Sequence, residues 1–150
     1  MVRNLLNGAL SGALATVAMS AVMLAGEQAG LMREHPPKHI TRAILPGHRH
    51  RPKRGEKPLS LLAHFGFGTS AGALFGILCR EREPGIPLGL GYGLAIWIAS
   101  YEGWVPSMGI LPPISQDEPG RPAVMAAGHL VYGTTLVLMN RLLRPSTQHP

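Results

Sequence analysis

Charge is missing from most of this chain. All 14 Lys/Arg and all 8 Asp/Glu lie outside four windows, residues 4–26, 58–79, 84–101 and 122–140, each 18 to 23 residues long. A charge-free apolar run of about 18 residues or more is what a helix needs to cross roughly 30 Å of hydrocarbon. None of the windows carries the charged stripe, at helical spacing, that a soluble helix turns toward water. Their glycines would each cost on the order of 1 kcal/mol in an aqueous helix. Both observations argue against a soluble helical domain.

Cysteine is nearly absent too. A lone Cys79 excludes an intrachain disulfide and a Cys-based zinc site. Aromatics are few, and Tyr92, Trp97, Tyr101, Trp104 and Tyr132 read mostly as packing residues or interfacial anchors. No nucleophile–base pair, phosphate loop or nucleic-acid motif stands out. The net charge of +6 is concentrated in a loop beside the membrane, where anionic lipid headgroups, not nucleic acid, explain it. The first apolar run is longer than a signal-peptide core, and three more follow, so it reads as a retained span.

The runs that are present predict an all-α fold, an integral membrane four-helix bundle in one domain covering 1–150. The expected spans are 5–28, 60–79, 86–104 and 123–143, with a long basic loop, 29–59, between the first two. Within that loop, 38–45 can form a short surface helix, and 46–58 reads as a polar run. Four spans put the termini and the tight turn 80–84 on one side and both longer loops on the other. The long-loop side carries nine Lys/Arg against five opposite. The positive-inside rule then places the long loops in the cytoplasm.

Small residues recur every fourth position. Gly8, Gly12, Thr16 and Ser20 form one stripe, and Gly68, Gly72 and Gly76 a second. The third span offers two, Gly85-Gly89-Gly93 and Gly91-Ala95-Ala99-Gly103, which would let it sit between two neighbours. Lipid supplies no hydrophobic drive for helix association, so close contact across small residues takes that role.

Four ionisable residues share one depth. Glu27 and Glu102 end spans one and three on the long-loop side, and His64 and His129 fall in the first two turns of spans two and four. With a rise of 1.5 Å per residue, all four lie within roughly 10 Å of one membrane face. Each continues a small-residue stripe, which predicts that they point inward. Ionisable groups inside a bundle are costly and usually paired. Three readings stay open. The groups form a structural hydrogen-bond network, or line a vestibule for protons or a small solute. In the third, Glu27, His64, Glu102 and His129 bind a transition metal such as Zn, Fe or Mn, or the two histidines ligate a haem. No Glu-x-x-His or His-x-x-x-His pair within one helix supports the metal. No cofactor is therefore expected in the leading reading. Beyond Met19 and Met23, the methionines show no clustered spacing, and His48-Arg49-His50 reads as part of a solvated basic segment.

The stretch Pro106-Ser107-Met108-Gly109-Ile110-Leu111-Pro112-Pro113, with Gly128-His129-Leu130-Val131 after it, resembles the YagU-like family of bacterial inner-membrane proteins. Glu27 ahead of Pro36-Pro37-Lys38 and the His64 position are similar to that family as well. Glu102 and the basic loop depart from it. The resemblance implies a bacterial inner-membrane topology and a role for His129, and it supplies no activity. The expected function is that of a non-enzymatic small membrane protein, a homo-oligomer or subunit, using its Glu/His cluster in packing or in proton or solute handling. The rivals are a metal-dependent membrane enzyme or redox subunit, and an accessory subunit recruited through loop 36–58.

Overall fold

Glycine and proline decide where the helices of this protein start and stop. A computed structural model describes residues 1–33, 36–46 and 53–144. Residues 47–52 of the polar run 46–58, with His48, Arg49 and His50, lie outside the described residues. Helix α1 (Val2–Gln28) closes on Gly30, whose φ of 73° only glycine adopts freely. The Gly30 amide donates to Glu27 O and the Leu31 amide to Gly26 O, both at 3.0 Å, which is the Schellman pattern of a helix end. A short helix, α2 (Pro36–Ile44), follows where the sequence predicts a surface helix. Helix α3 (Glu56–Leu78) starts a turn earlier than expected. Its Pro58 sits in the first turn, where a missing N–H costs nothing. Helix α6 (Gly120–Leu142) begins early for the same reason, through Pro122.

The third expected span is continuous but not uniform. It runs as α4 (Ile86–Ile98), a π-helical segment (Ala99–Trp104) and α5 (Val105–Ser107). Pro106 has no N–H to offer the carbonyl of Glu102, and its ring crowds that oxygen, so the helix widens instead of breaking. The Ser100 hydroxyl donates to Ile96 O at 2.7 Å inside the widened turn. A second Schellman closure at Gly109, φ 65°, ends α5, with Ile110 N–H reaching Val105 O at 3.2 Å. A 3-10 turn, Ile114–Gln116, leads into α6.

Helices α1, α3 and α6 are each long and apolar enough to cross a bilayer. The protein is therefore an all-α, multi-span membrane bundle. Helix α1 packs against both α3 and α6, and α4 packs against α6. Glycine explains how closely they approach. A Cβ added at Gly12 would lie 2.8 Å from Gly72 Cα, and one at Gly72 would lie 2.5 Å from Gly12 Cα. Gly8 and Gly76 meet in the same way. On α4, Gly89 and Gly93 rest against the backbone of Gly133 and His129. The other α4 stripe has no such neighbour: Gly91 meets nothing within 4 Å, and Ala95 and Ala99 are exposed. Helix α4 thus packs through one stripe and not two. Met19, Met23, Phe75, Leu136 and Val137 fill the centre.

The two ends are sealed differently. Near the termini, Asn7 Nδ2 donates to Leu143 O at 2.9 Å, and Arg141 and Arg144 reach Pro84 O and Arg82 O, each at 2.8 Å. At the long-loop end, Gly120 lies directly on the backbone of Leu31. There the connection between α1 and α3 folds back over the bundle and shapes the site.

Candidate functional site

Helix α2 is held in place by a buried ion pair. Arg42 Nε donates to Glu56 Oε2 at 2.9 Å and Arg42 Nη2 to Oε1 at 2.6 Å, the two-pronged geometry that suits a guanidinium and a carboxylate. Their side chains are only 7% and 5% exposed. The Lys53 ammonium donates to the Arg42 carbonyl at 2.6 Å and to the Leu45 carbonyl, placing a cation at the C-terminal end of α2. Glu56 stands ahead of the charge-free window that begins at residue 58. The Arg42 guanidinium holds its carboxyl below the usual carboxylate range despite burial, and the Lys53 amide and His39 add to that effect.

Beneath α2 lies a cavity of about 240 Å³. Pro36, Pro37 and Ile40 of α2 cover it. One wall is α3, through Ala63, His64, Phe67 and Ala71, and the facing wall is Ile96 of α4 with Ser100, Tyr101 and Trp104 of the π segment. The floor comes from α1 and α6, where Thr16, Met19, Met125, His129 and Tyr132 meet. Helices α3 and α4 are joined by the Phe75–Tyr92 ring contact, with centroids 5.0 Å apart, and by Tyr92 Oη donating to Ala71 O at 2.7 Å. Farther toward the long-loop end they part, and the cavity occupies the gap. Among its lining residues Phe67 and Trp104 are 52% and 39% exposed, so the cavity reaches the surface beside them. The widened π turn turns three of its six side chains into this space.

The polar groups on the wall are mostly spent. Thr16 Oγ1 donates to Gly12 O at 2.7 Å, and Tyr132 Oη donates to Gly68 O at 2.6 Å. The Ser100 hydroxyl is bound within its own helix, and Tyr101 Oη donates to Asp117. His129 is different. Only 6% exposed, it bonds through Nδ1 to the Met125 carbonyl at 2.8 Å. A carbonyl can only accept, so Nδ1 carries the proton. In the uncharged ring the lone pair then sits on Nε2, the nitrogen with no partner among the described residues.

The four residues expected to converge do not all do so. His64 and His129, from separate helices, line the same cavity. Glu27 is half-buried at the end of α1 and is not part of the wall. Glu102 is exposed, and its carboxylate accepts the Ile114 amide at 2.7 Å in the loop above the bundle. It follows the Gly91-Ala95-Ala99 stripe, and that stripe is the outward one. Its neighbour Tyr101 takes the inward position instead. Among the described residues, no group of three or more His, Cys, Asp or Glu is placed to hold a metal ion. The four-ligand set Glu27, His64, Glu102 and His129 is therefore not assembled.

Two arrangements at the site went unread in the sequence. One is the Arg42–Glu56 pair, fourteen residues apart with no periodic signal to join them. The other joins Tyr101 to Asp117, which also accepts Arg121 Nη1 at 2.5 Å; both side chains of that ion pair are buried. The Asp117–Arg121 spacing of four on a helix start was the available hint. Met19 of the Met19–Met23 pair and Met125, which shows no clustered spacing, also reach the cavity wall.

No curated protein and no solved structure matches the chain. The likeness to YagU-like proteins thus rests on the sequence motifs alone, Pro106–Pro113, Gly128–Val131 and the Glu27, Pro36-Pro37-Lys38 and His64 positions. A family model, described as a family of unknown function (DUF6789), matches residues 2–150. With a match over nearly its whole length, this multi-span membrane chain belongs to the DUF6789 family.

Proposed function

We propose that this protein is a non-enzymatic, four-crossing membrane protein that binds one small lipid-soluble molecule in the cavity beneath α2. The observation that carries the reading is the cavity itself: about 240 Å³, lined almost wholly by apolar atoms, with its mouth between Phe67 and Trp104 on the outer surface of the bundle. An apolar cavity of about 150 Å³ already stays dry and takes up benzene, so a space of this size suits a ring with a short chain. The mouth lies on a flank of the bundle where hydrocarbon, not water, is the surrounding solvent, so entry from the bilayer is the natural route. The same His64 and His129 that would serve a solute-handling site stand on its wall. The metal-dependent alternative has less in its favour, because the carboxylates that would complete its ligand set stand elsewhere. The nine-to-five excess of basic residues supports a cytoplasmic long-loop face, and α2 would then roof the cavity from that side. A place in a bacterial inner membrane is supported by the YagU-like resemblance.

The test uses the methionine methyls as site reporters. Protein carrying ¹³C-methyl methionine is placed in lipid nanodiscs and titrated with n-butylbenzene, a probe with neither charge nor hydrogen-bond donor. Saturable shifts at Met19 and Met125, with Met108 and Met139 unmoved, are the expected result. Equal drifts at all four, as from simple partition into lipid, would overturn the reading.

A further inference from the structure

We propose that the cavity selects an uncharged hydroxy-aromatic molecule, a membrane-soluble phenol or hydroquinone, whose hydroxyl donates to His129 Nε2. This rests on the reading of the cavity as a binding site and names the chemistry of its ligand. Three observations narrow the class.

The first is charge. Among the described residues, no Lys, Arg, Asp or Glu lines the cavity. A carboxylate, phosphate or ammonium headgroup would therefore be buried without a countercharge, which is prohibitively costly in apolar surroundings. Fatty acids and phospholipid headgroups are excluded on this ground.

The second is hydrogen-bonding capacity. The hydroxyls of Thr16, Ser100, Tyr101 and Tyr132 all donate within the protein. His64 has interactions of its own. His129, a residue only 6% exposed, has its Nδ1 committed to the Met125 carbonyl. Its Nε2 has no partner among the described residues and keeps accessible surface on a residue that lines the cavity. A ligand O–H that reaches this nitrogen gains a hydrogen bond in apolar surroundings. A wholly apolar ligand leaves that nitrogen unmet.

The third is wall chemistry. Phe67, Tyr101, Trp104 and Tyr132 bring four aromatic rings to the cavity, and Met19 and Met125 bring sulfur. Aromatic faces and thioethers favour a flat ring over a branched chain. A phenolic hydroxyl is also a stronger donor than an aliphatic one, which matches an imidazole acceptor well. The volume accommodates one ring with a short segment of chain, and the mouth between Phe67 and Trp104 lets a longer tail continue into lipid.

The experiment compares four probes of one shape in the nanodisc-embedded protein: n-butylbenzene, 4-butylphenol, 4-butylanisole and 4-butylbenzoate. Occupancy is read from the Met19 and Met125 methyls, and affinities are expressed per mole fraction of probe in the bilayer. The ¹⁵N resonance of His129 Nε2 is followed in parallel. The phenol should bind about tenfold more tightly than its methyl ether, the worth of one hydrogen bond made in apolar surroundings. Only the phenol should move the Nε2 resonance, and in His129→Leu the phenol-to-anisole ratio should fall to about one. The ratio in the unaltered protein decides the matter even if that variant fails to fold. Equal binding of phenol and anisole would overturn the donor requirement while leaving the cavity reading intact. Preference for the benzoate would overturn the uncharged class and point to a cationic ring. Failure of all four probes would overturn the binding site itself.

Discussion

Replacing Gly72 with alanine puts the packing of α1 on α3 to its sharpest test. The new methyl carbon would lie 2.5 Å from Gly12 Cα and also press on the Gly8 carbonyl. Both obstacles are backbone, so neither can swing aside as a side chain would. Comfortable carbon–carbon contact begins near 3.5 Å, so the two helices must separate by about 1 Å at this level. A gap of that size forfeits roughly a quarter to a half of the attraction at each facing atom pair. Small-to-large changes in well-packed interiors cost about 1–3 kcal/mol, and the glycine-on-glycine contact places this one inside that range. Gly66→Ala is the matched control. Gly66 lies on the same helix and has nothing within 4 Å of its added carbon. Unfolding in mixed SDS and maltoside micelles should show Gly66→Ala within about 0.5 kcal/mol of the parent, as for open surface sites, and Gly72→Ala clearly below it. Equal effects at the two positions would refute the close glycine contact between α1 and α3.

Three further outcomes follow from the site. Arg42→Met should strip α2 of its hydrogen-exchange protection, because an unpaired buried Glu56 costs about 3–5 kcal/mol, and adding Glu56→Met should restore much of it. The Glu56 carboxyl is held low by Arg42, so docking of α2 gains stability that is fully present above the unfolded carboxylate value and lost as pH falls through the folded one. Exchange protection of residues 36–44 should therefore persist from pH 8 down to about 5 and weaken only as pH falls below the ordinary carboxylate value of about 4.3, and loosening between pH 6 and 7 would contradict this. Asp117→Asn should destabilise the protein by about 2 kcal/mol, leaving the buried Arg121 with only the part-exposed Glu118 carboxylate at 3.2 Å, whereas Glu102→Gln at an exposed position should cost less than about 1 kcal/mol in thermal unfolding.

The apolar windows made the helices legible, because lack of charge over such lengths leaves few alternatives to a membrane span. The stripes of Gly8 and Gly12 and of Gly68, Gly72 and Gly76 also announced the faces that meet, since four-residue spacing maps onto one side of a helix. On the third span the same logic had two answers, and periodicity could not choose between them. Packing chose Gly89 and Gly93, which left Glu102 outside and brought Tyr101 in. His64 and His129 were placed at a common depth by rise per residue alone, and they share the cavity. The cavity was not legible. It depends on the π-helical turn before Pro106 and on α2 folding over α3 through Arg42 and Glu56. Both arise from contacts between segments remote in the chain, and local pattern carries no record of them.

A density map of the protein extracted in its own lipids tests the central claim most directly. The account predicts a flat, uncharged molecule seated between α3 and the π segment, with a polar atom within hydrogen-bond reach of His129 Nε2 and a tail leaving past Phe67 and Trp104. A closed seam, with the His64 and Phe67 side chains packed onto Ser100 and Trp104 and no volume left between them, would contradict it.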